Sequence, residues 1–213
     1  MFRRLTYWPG DIVAVESSGL LALMGWLIFK PATRFFHHLT IRARLEEELD
    51  YEIIEMLGSV VGALVSLIPF LGKWLTPPGC TIGRLSWYDG CHYAVLRLND
   101  AETLNLGKRA AKYASKFGRL CYDFRLYLHL AGAVFRCWYR QLRDEWKLRR
   151  IDPSEIDLGE NGAFVCTELP VAIWCLVGKD VLAPGDARIP AAYQKAIMER
   201  RLLLIDEHWP EKG

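Results

Sequence analysis

The sequence predicts an α+β fold in which a small antiparallel sheet packs against a helix that begins near a cysteine. Strand-like segments fall mainly in the first hundred residues, whereas helical spacing of apolar residues dominates after residue 100. The chain has 213 residues, of which 52% are hydrophobic and 24% are charged. This composition excludes a disordered chain, collagen and a long coiled coil, and the length predicts one domain over residues 1–213.

The charge and the cysteine spacing exclude several classes of function. Twenty-seven basic and 25 acidic residues give a net charge of +2, which is too small to predict a nucleic-acid partner. None of the six cysteines forms a Cys-x-x-Cys pair, so neither a zinc site nor a thioredoxin-type redox pair is predicted. We therefore expect no metal and no cofactor, and free thiols in a reducing compartment.

Four strands are predicted before residue 100. A Pro-Gly turn introduces an apolar strand over 11–16. Apolar and polar residues alternate over 36–45 and over 92–98, which is typical of strands with one buried face. Residues 51–57 return after an acidic turn as the partner of the second strand.

The hairpin formed by the second and third strands predicts a pair of polar residues. A short turn near residues 46–47 would place Glu55 opposite His38, with Cβ atoms within about 5 Å if both share a face. A slip of one residue would destroy this pairing. The pair is consistent with an acid–base pair for catalysis and equally with a solvated cross-strand pair.

Helices are predicted over 20–30, 101–117 and 122–150. From Lys108 to Arg150 there are twelve Lys or Arg residues against three Asp or Glu. The basic helical extension at 125–150 is either solvated, set against the acidic residues that follow it, or in peripheral contact with an anionic membrane through its interleaved aromatic residues.

An apolar insert covers residues 57–78. No residue from 56 to 72 is charged, but glycines and Pro69 interrupt a continuous helix. We therefore expect one or two packed helices that cover a groove near the cleft, and not a membrane-spanning helix. The sequence shows no secretory signal, so a cytoplasmic location is expected, with peripheral membrane association as the alternative.

Cys166 is the candidate nucleophile. Pro170 is tolerated only in the first turn of a helix, so the apolar helix that follows must begin close to Cys166. The positive end of a helix dipole lowers the pKa of a thiol placed there, and the same amides can donate to an oxyanion. The alternative reading is a small buried hydrophobic residue, the usual role of a free cysteine.

Six segments resemble a known family. They are Gly-Asp-Ile-Val at 10–13, Phe-His-His-Leu-Thr-Ile at 36–41, Ile-Ile-Glu at 53–55, Tyr-Ala-Val-Leu-Arg at 93–97, Gly-Arg-Leu-Cys-Tyr-Asp-Phe at 118–124, and Phe-Val-Cys-Thr-Glu-Leu at 164–169. In this order they resemble the circularly permuted, papain-like branch of the NlpC-type cysteine peptidase superfamily, the group called YiiX-like. The order histidine, acid, cysteine is the order that permutation requires.

The resemblance implies a permuted papain-like fold and a role for each matched residue. Cys166 would be the nucleophile, His38 its general base, and Glu55 the residue that orients the imidazole. We choose His38 because the residues after it fit the pattern, with His37 as the alternative if the register is shifted. Substrate-binding residues are implied at Tyr122, Asp123 and Thr167.

The resemblance implies a thiol-dependent hydrolase that cleaves an amide or peptide bond through an acyl-enzyme intermediate, with a cell-wall-type peptide as substrate class. Two alternatives stay open. One is a lipid acyl hydrolase or acyltransferase related to lecithin:retinol acyltransferase, which the apolar insert and the basic helix favour. The other is a catalytically silent protein that binds a lipid or a peptide.

Overall fold

The structure is a computed structural model that describes residues 7–16, 23, 26–45, 50–56, 80–114, 125–156 and 166–210. The predicted apolar insert at 57–78 lies outside these residues, so its packing stays a prediction. Within the predicted helix over 20–30, residues 26–28 are helical.

Among the described residues, six antiparallel strands form one sheet in the order β4-β3-β2-β1-β5-β6. Their bounds are β1 Ile12–Glu16, β2 Phe35–Leu45, β3 Asp50–Met56, β4 Cys80–Arg84, β5 Tyr93–Leu98 and β6 Leu202–His208. The four predicted strands are confirmed as β1, β2, β3 and β5. The edge strands β4 and β6 were not predicted, and their pairing makes the sheet larger than expected.

In the part of the chain that the structure describes, four α-helices of eight or more residues accompany the sheet: α1 Thr103–Ala114, α2 Arg125–Glu145, α3 Glu168–Cys175 and α4 Pro190–Met198. Two short 3-10 helices lie at Leu85–Tyr88, between β4 and β5, and at Pro153–Glu155, between α2 and α3. The α+β class is therefore confirmed. Helix α2 ends five residues before the predicted end because Trp146 adopts a left-handed backbone with φ of 53°. Helix α4 was not predicted.

The two faces of the sheet bury separate apolar clusters. The first cluster lies beneath the helices and includes Ala14 and Ile54 from the strands together with Trp174 of α3. The second lies on the opposite face and includes Leu39 and Ile53. Because successive residues of a strand point to opposite faces, the register of each strand decides which cluster a side chain joins.

Helix α3 packs against the start of the sheet. The indole Nε1 of Trp174 donates to the carbonyl oxygen of Gly10, just before β1, at 3.0 Å. Gly10 itself has φ of +92°, a conformation that favours glycine. Leu169 and Ile173, one turn apart, have no exposed surface. The helix that follows Cys166 therefore has a fixed position on the sheet.

Among the helices described, none is both long enough and apolar enough to cross a membrane.

Candidate active site

His38 lies on β2 with no exposed surface. It pairs with Ala14 of β1, whose side chain joins the cluster beneath the helices. Its imidazole stacks on the ring of Tyr193 from α4, with ring centroids 4.1 Å apart and planes 26° apart. The stack holds the imidazole against the helical layer.

Cys166 comes two residues before α3, and Thr167 is the N-cap residue of that helix. This confirms the prediction that a helix begins close to Cys166, with Pro170 in its first turn. Cys166 is only 4% exposed and belongs to the apolar cluster on the face of the sheet that carries His38. The expected approach of the His38 imidazole to within about 4 Å of the Cys166 thiol stays a prediction.

Tyr193 connects the two candidate residues. Its ring stacks on His38, and its hydroxyl donates to the main-chain carbonyl of Thr167 at 2.5 Å. Burial, assisted by the nearby acidic groups Cys166 and Glu168, raises the pKa of Tyr193 well above its ordinary value. The phenol therefore stays protonated and keeps its hydrogen bond at every ordinary pH.

The predicted pairing of Glu55 with His38 is wrong. Glu55 pairs with Leu39, the next residue along β2. Directly opposite residues of an antiparallel pair share a face, and Leu39 belongs to the cluster on the face away from the helices. Glu55 and His38 therefore leave the sheet on opposite faces.

A β-bulge explains the error. It lies in the β2–β3 ladder between Ile41 and Ala43. A bulge sets two residues of one strand against one of its partner, and a shift of one residue moves a side chain to the other face. Without this bulge the register near the turn would set Glu55 opposite Thr40, on the face of His38.

Glu55 has its own partners on the far face. Its carboxylate is 1% exposed and accepts a hydrogen bond from the hydroxyl of Tyr88. Burial, together with this bond, raises the pKa of Tyr88, which keeps the phenol a donor. The absence of a side chain at Gly83 leaves room for the carboxylate, because a Cβ there would lie 2.9 Å from Glu55 Oε1.

The side chain of Thr167, predicted to bind substrate, is used within the fold. Thr167 is 4% exposed, and its hydroxyl donates to the carbonyl of Arg188 at 2.7 Å. Together with the bond from Tyr193, this contact ties the residue after Cys166 to the segment that leads into α4. Tyr122 and Asp123 lie outside the described residues.

A cavity of about 170 Å³ adjoins His38, between the sheet and α4. Aliphatic side chains such as Ala94, Leu96 and Ile197 form much of its wall, and Gln194 and Glu207 contribute polar atoms. It is large enough for a small acyl group or side chain next to the imidazole, but not for a whole lipid.

The five cysteines in the described part of the chain are all free. Burial, and secondarily the charge of Glu55, raises the pKa of the Cys80 thiol to about 11. The apolar neighbours of Cys175 in the sequence predict a packed thiol, and this prediction is wrong, because Cys175 is exposed at the end of α3. His92, the residue after Cys91, has its ring nitrogens against the carboxylates of Glu16 and Glu207.

Sequence reasoning missed Tyr193. A signal was present, because Pro190 is the first residue of α4, and proline is common at the first helical position. Ala192, Tyr193 and Ala196 are buried at helical spacing along that helix. Which ring meets the imidazole depends on tertiary packing, and local periodicity does not contain that information.

Among the residues that the structure describes, no group of three or more His, Cys, Asp or Glu side chains is arranged to hold a metal ion.

Comparison with known proteins finds a likeness in structure but none in sequence. No family model and no curated protein matches the sequence. The structure is similar to the crystal structure of metalloprotein yiiX from Escherichia coli O157:H7, with 16% sequence identity and a TM-score of 0.46. The match covers 95% of this chain and 98% of that chain.

Proposed function

We propose that the protein is a thiol-dependent hydrolase of amide or peptide bonds, with Cys166 as nucleophile and His38 as general base. One observation supports this proposal most strongly. A cysteine at the start of α3 and a buried histidine of β2 lie on the same face of the sheet, and Tyr193 contacts both the histidine and the residue after the cysteine. Nucleophilic catalysis needs a thiol and a base within hydrogen-bond reach of each other and a third group that orients the base, and Tyr193 is placed to be that group.

In the acylation half-reaction, His38 takes the proton of the Cys166 thiol, and the sulfur attacks the carbonyl carbon of the substrate. The carbon–nitrogen bond then breaks, and the imidazolium of His38 gives its proton to the leaving amine. A thioester remains on Cys166. The backbone N–H groups of the first turn of α3 are the proposed donors to the oxyanion.

In the deacylation half-reaction, His38 takes a proton from a water molecule, and the resulting hydroxide attacks the thioester carbon. The carbon–sulfur bond breaks, the acid product leaves, and the proton returns to the sulfur of Cys166. The same imidazole thus serves as base and acid in turn.

Tyr193 is proposed to orient the imidazole, a role that the family pattern gives to an acidic residue. Glu55 does not fit this role, because it lies on the other face and binds Tyr88. An aromatic ring stacked on a histidine restricts rotation of the imidazole about its χ angles, which is what a positioning residue must do.

A second candidate function is hydrolysis of a lipid acyl group. The aliphatic wall of the cavity beside His38 favours it, because an acyl chain binds to such a wall without unpaired polar atoms. Both candidates share the thioester intermediate, so they differ only in the substrate that forms it.

The test is to incubate the purified chain with panels of peptides, esters and thioesters and to measure intact mass during turnover. We expect an acyl adduct that peptide mapping places on Cys166, with turnover lost in Cys166→Ala and kept in Cys175→Ser. A peptide adduct supports the first candidate, and a fatty-acyl adduct supports the second. Turnover that survives Cys166→Ala, or binding of these compounds without any adduct, would overturn the proposal.

A further inference from the structure

Helix α2 carries an aromatic stripe on its solvent side. The stripe consists of Phe135, Tyr139 and Leu142 of the helix and of Trp146, the residue just past its end, and these side chains are 69%, 58%, 46% and 90% exposed. The spacing of four and three residues places Phe135, Tyr139 and Leu142 along one side of the helix. The buried residues of the same helix, such as Val134 and Gln141, occupy the opposite side. An exposed stripe of this size is unusual for a helix whose other side is already buried.

A basic flank runs beside the aromatic stripe. Arg136 and Arg140 follow Phe135 and Tyr139 by one residue each, so they lie on one edge of the stripe. Arg143 continues this edge, with its guanidinium bonded to Asp144. The flank therefore presents the positive charge of Arg136 and Arg140 beside Phe135 and Tyr139, whereas the charge of Arg143 is balanced by Asp144.

A groove of about 590 Å³ lies at the same place. Phe135, Tyr139, Arg136 and Arg140 line it, together with Glu155. The carboxylate of Glu155 accepts two bonds from Arg149, at 2.8 and 3.0 Å, so its charge is already neutralised. The groove thus combines two cationic side chains with two aromatic rings.

A second pair of exposed apolar side chains is formed by Trp26 and Leu27, and Trp26 contacts the segment that follows α2. The guanidinium of Arg150 lies over the ring of Trp26, 4.8 Å from its centroid. Trp26 and the next residue, Leu27, are both about half exposed. Two separate segments of the chain therefore contribute exposed tryptophan next to arginine.

We propose that the aromatic stripe and basic flank of α2 dock the protein on an anionic membrane surface, with Arg136 and Arg140 binding lipid phosphates. Tryptophan, tyrosine and phenylalanine suit the boundary between headgroups and acyl chains, and arginine suits the phosphates just outside it. Charge complementarity selects an anionic bilayer over a second copy of this basic helix. The proposal goes beyond the hydrolase activity and does not depend on it.

The test is flotation of the full chain with vesicles of phosphatidylcholine alone and with vesicles that contain about 30% phosphatidylserine. We expect binding to the anionic vesicles only, weakened by salt above about 0.5 M. The double variant Arg136→Gln/Arg140→Gln should lose about 25-fold in partition coefficient, because each arginine near such a surface contributes about fivefold. Phe135→Ala/Trp146→Ala should lose a similar factor, since both rings leave the interface.

Met198→Ala is the matched control, because Met198 is also 69% exposed but lies on α4. It should bind like the unmodified protein. Circular dichroism of each variant checks that these exposed substitutions leave the fold intact. Equal partition of all variants, or no preference for anionic vesicles, would overturn the proposal. A self-association that the same variants abolish, without vesicle binding, would assign this face to a second copy instead.

Discussion

Tyr193 supports the proposed catalytic pair in two ways, through its ring against His38 and through its hydroxyl on the carbonyl of Thr167. These contacts have different consequences for catalysis. The ring sets the plane of the imidazole, whereas the hydroxyl satisfies a buried carbonyl and holds α4 against the segment that carries Cys166. Substitutions at this one residue can separate the two effects.

We predict that Tyr193→Phe keeps most activity and that Tyr193→Leu loses on the order of a hundredfold in kcat with little change in KM, because loss of the stack releases the imidazole. Phenylalanine retains the stack and removes one hydrogen bond, which costs about 1 kcal/mol of stability. The measurement is steady-state kinetics below the melting temperature of each variant. Equal loss in both variants, or a change in KM alone, would contradict a positioning role for the ring.

Glu55 gives a second test at this scale. Because it lies on the face away from His38, Glu55→Gln should change kcat/KM by less than about threefold. Glutamine still accepts the bond from Tyr88, so the fold is retained. The matched variant is His38→Gln, which should abolish turnover. A loss in Glu55→Gln as large as in His38→Gln would mean that Glu55 orients the imidazole after all.

At the scale of elements, α1 approaches the turn before β1 with no space between the backbones. A Cβ added at Gly107 would lie 2.1 Å from the carbonyl oxygen of Pro9, which is rigid main chain. The same turn receives the hydrogen bond from Trp174 of α3. The close contact at Gly107 therefore supports the position of the helix that follows Cys166.

We predict that Gly107→Ala lowers the free energy of unfolding by about 2 kcal/mol or more, because the methyl group forces α1 away from this turn. Gly132→Ala in α2 is the control, since a Cβ there meets only Arg136 at 3.5 Å. That substitution should raise stability by up to about 1 kcal/mol through helix propensity. Denaturant unfolding measures both, and similar values for the two variants would contradict the close-contact argument.

Lys195 ties α4 to two turns. Its ammonium donates to Asp152 at 3.0 Å and to Asp186 at 2.9 Å. The bond to Asp186, ahead of that to Asp152, raises the pKa of Lys195. Burial by itself would raise the pKa of Asp152, but the donors from Ser154 and Lys195 outweigh burial and hold that pKa below its ordinary value.

A carboxyl group whose pKa is lowered in the folded state stabilises the fold at pH values above its pKa in the unfolded chain, which is about 3.9. This contribution is lost as pH falls through the folded-state pKa. A lysine whose pKa is raised in the folded state stabilises the fold at pH values below its pKa in the unfolded chain, which is about 10.4. This stabilisation is lost as pH rises through the folded-state pKa. Lys195→Met should therefore reduce the free energy of unfolding by about 1 kcal/mol between roughly pH 5 and 9, with the difference shrinking below about pH 4. The exposed Lys108→Met is the control, and a difference for Lys195→Met that is independent of pH would contradict the ion-pair account.

Which elements the sequence predicted depends on how local their signals are. Local signals mark the elements that were predicted. Alternation or a turn marks strands β1, β2, β3 and β5, and helical spacing or a proline marks helices α1, α2 and α3. The edge strands β4 and β6 lack that alternation, and only their neighbours in the sheet make them strands. The fold class was therefore predictable from sequence, but the number of strands was not.

For the candidate site, the sequence predicted that a helix begins near Cys166 and that His38 lies on a strand. It failed on Glu55, because a bulge between Ile41 and Ala43 changes which face the residue joins. Nothing in the local sequence marks that bulge. Tyr193 was missed for a related reason, since a stack between β2 and α4 is a long-range contact.

At the scale of the whole molecule, the sheet divides the protein into two environments. One face carries His38, and the cluster beneath its helices includes Cys166 and Tyr193. The other face buries Glu55 beside Tyr88, under the 3-10 helix that follows β4. Strands from both ends of the described chain, β1 and β6, flank β5 in this sheet. The single domain over 1–213 stays a prediction.

The measurement that tests the central claim most directly is the rate of alkylation of each cysteine by limiting iodoacetamide, read by peptide mapping. At about pH 6.5 an ordinary thiol is only about 1% ionised, so a thiol activated by a helix start and a histidine should react first. We predict that Cys166 reacts faster than the exposed Cys175, although Cys166 is 4% exposed, and that His38→Ala slows Cys166 alone. Faster reaction at Cys175, or no effect of His38→Ala on Cys166, would contradict the pairing of Cys166 with His38.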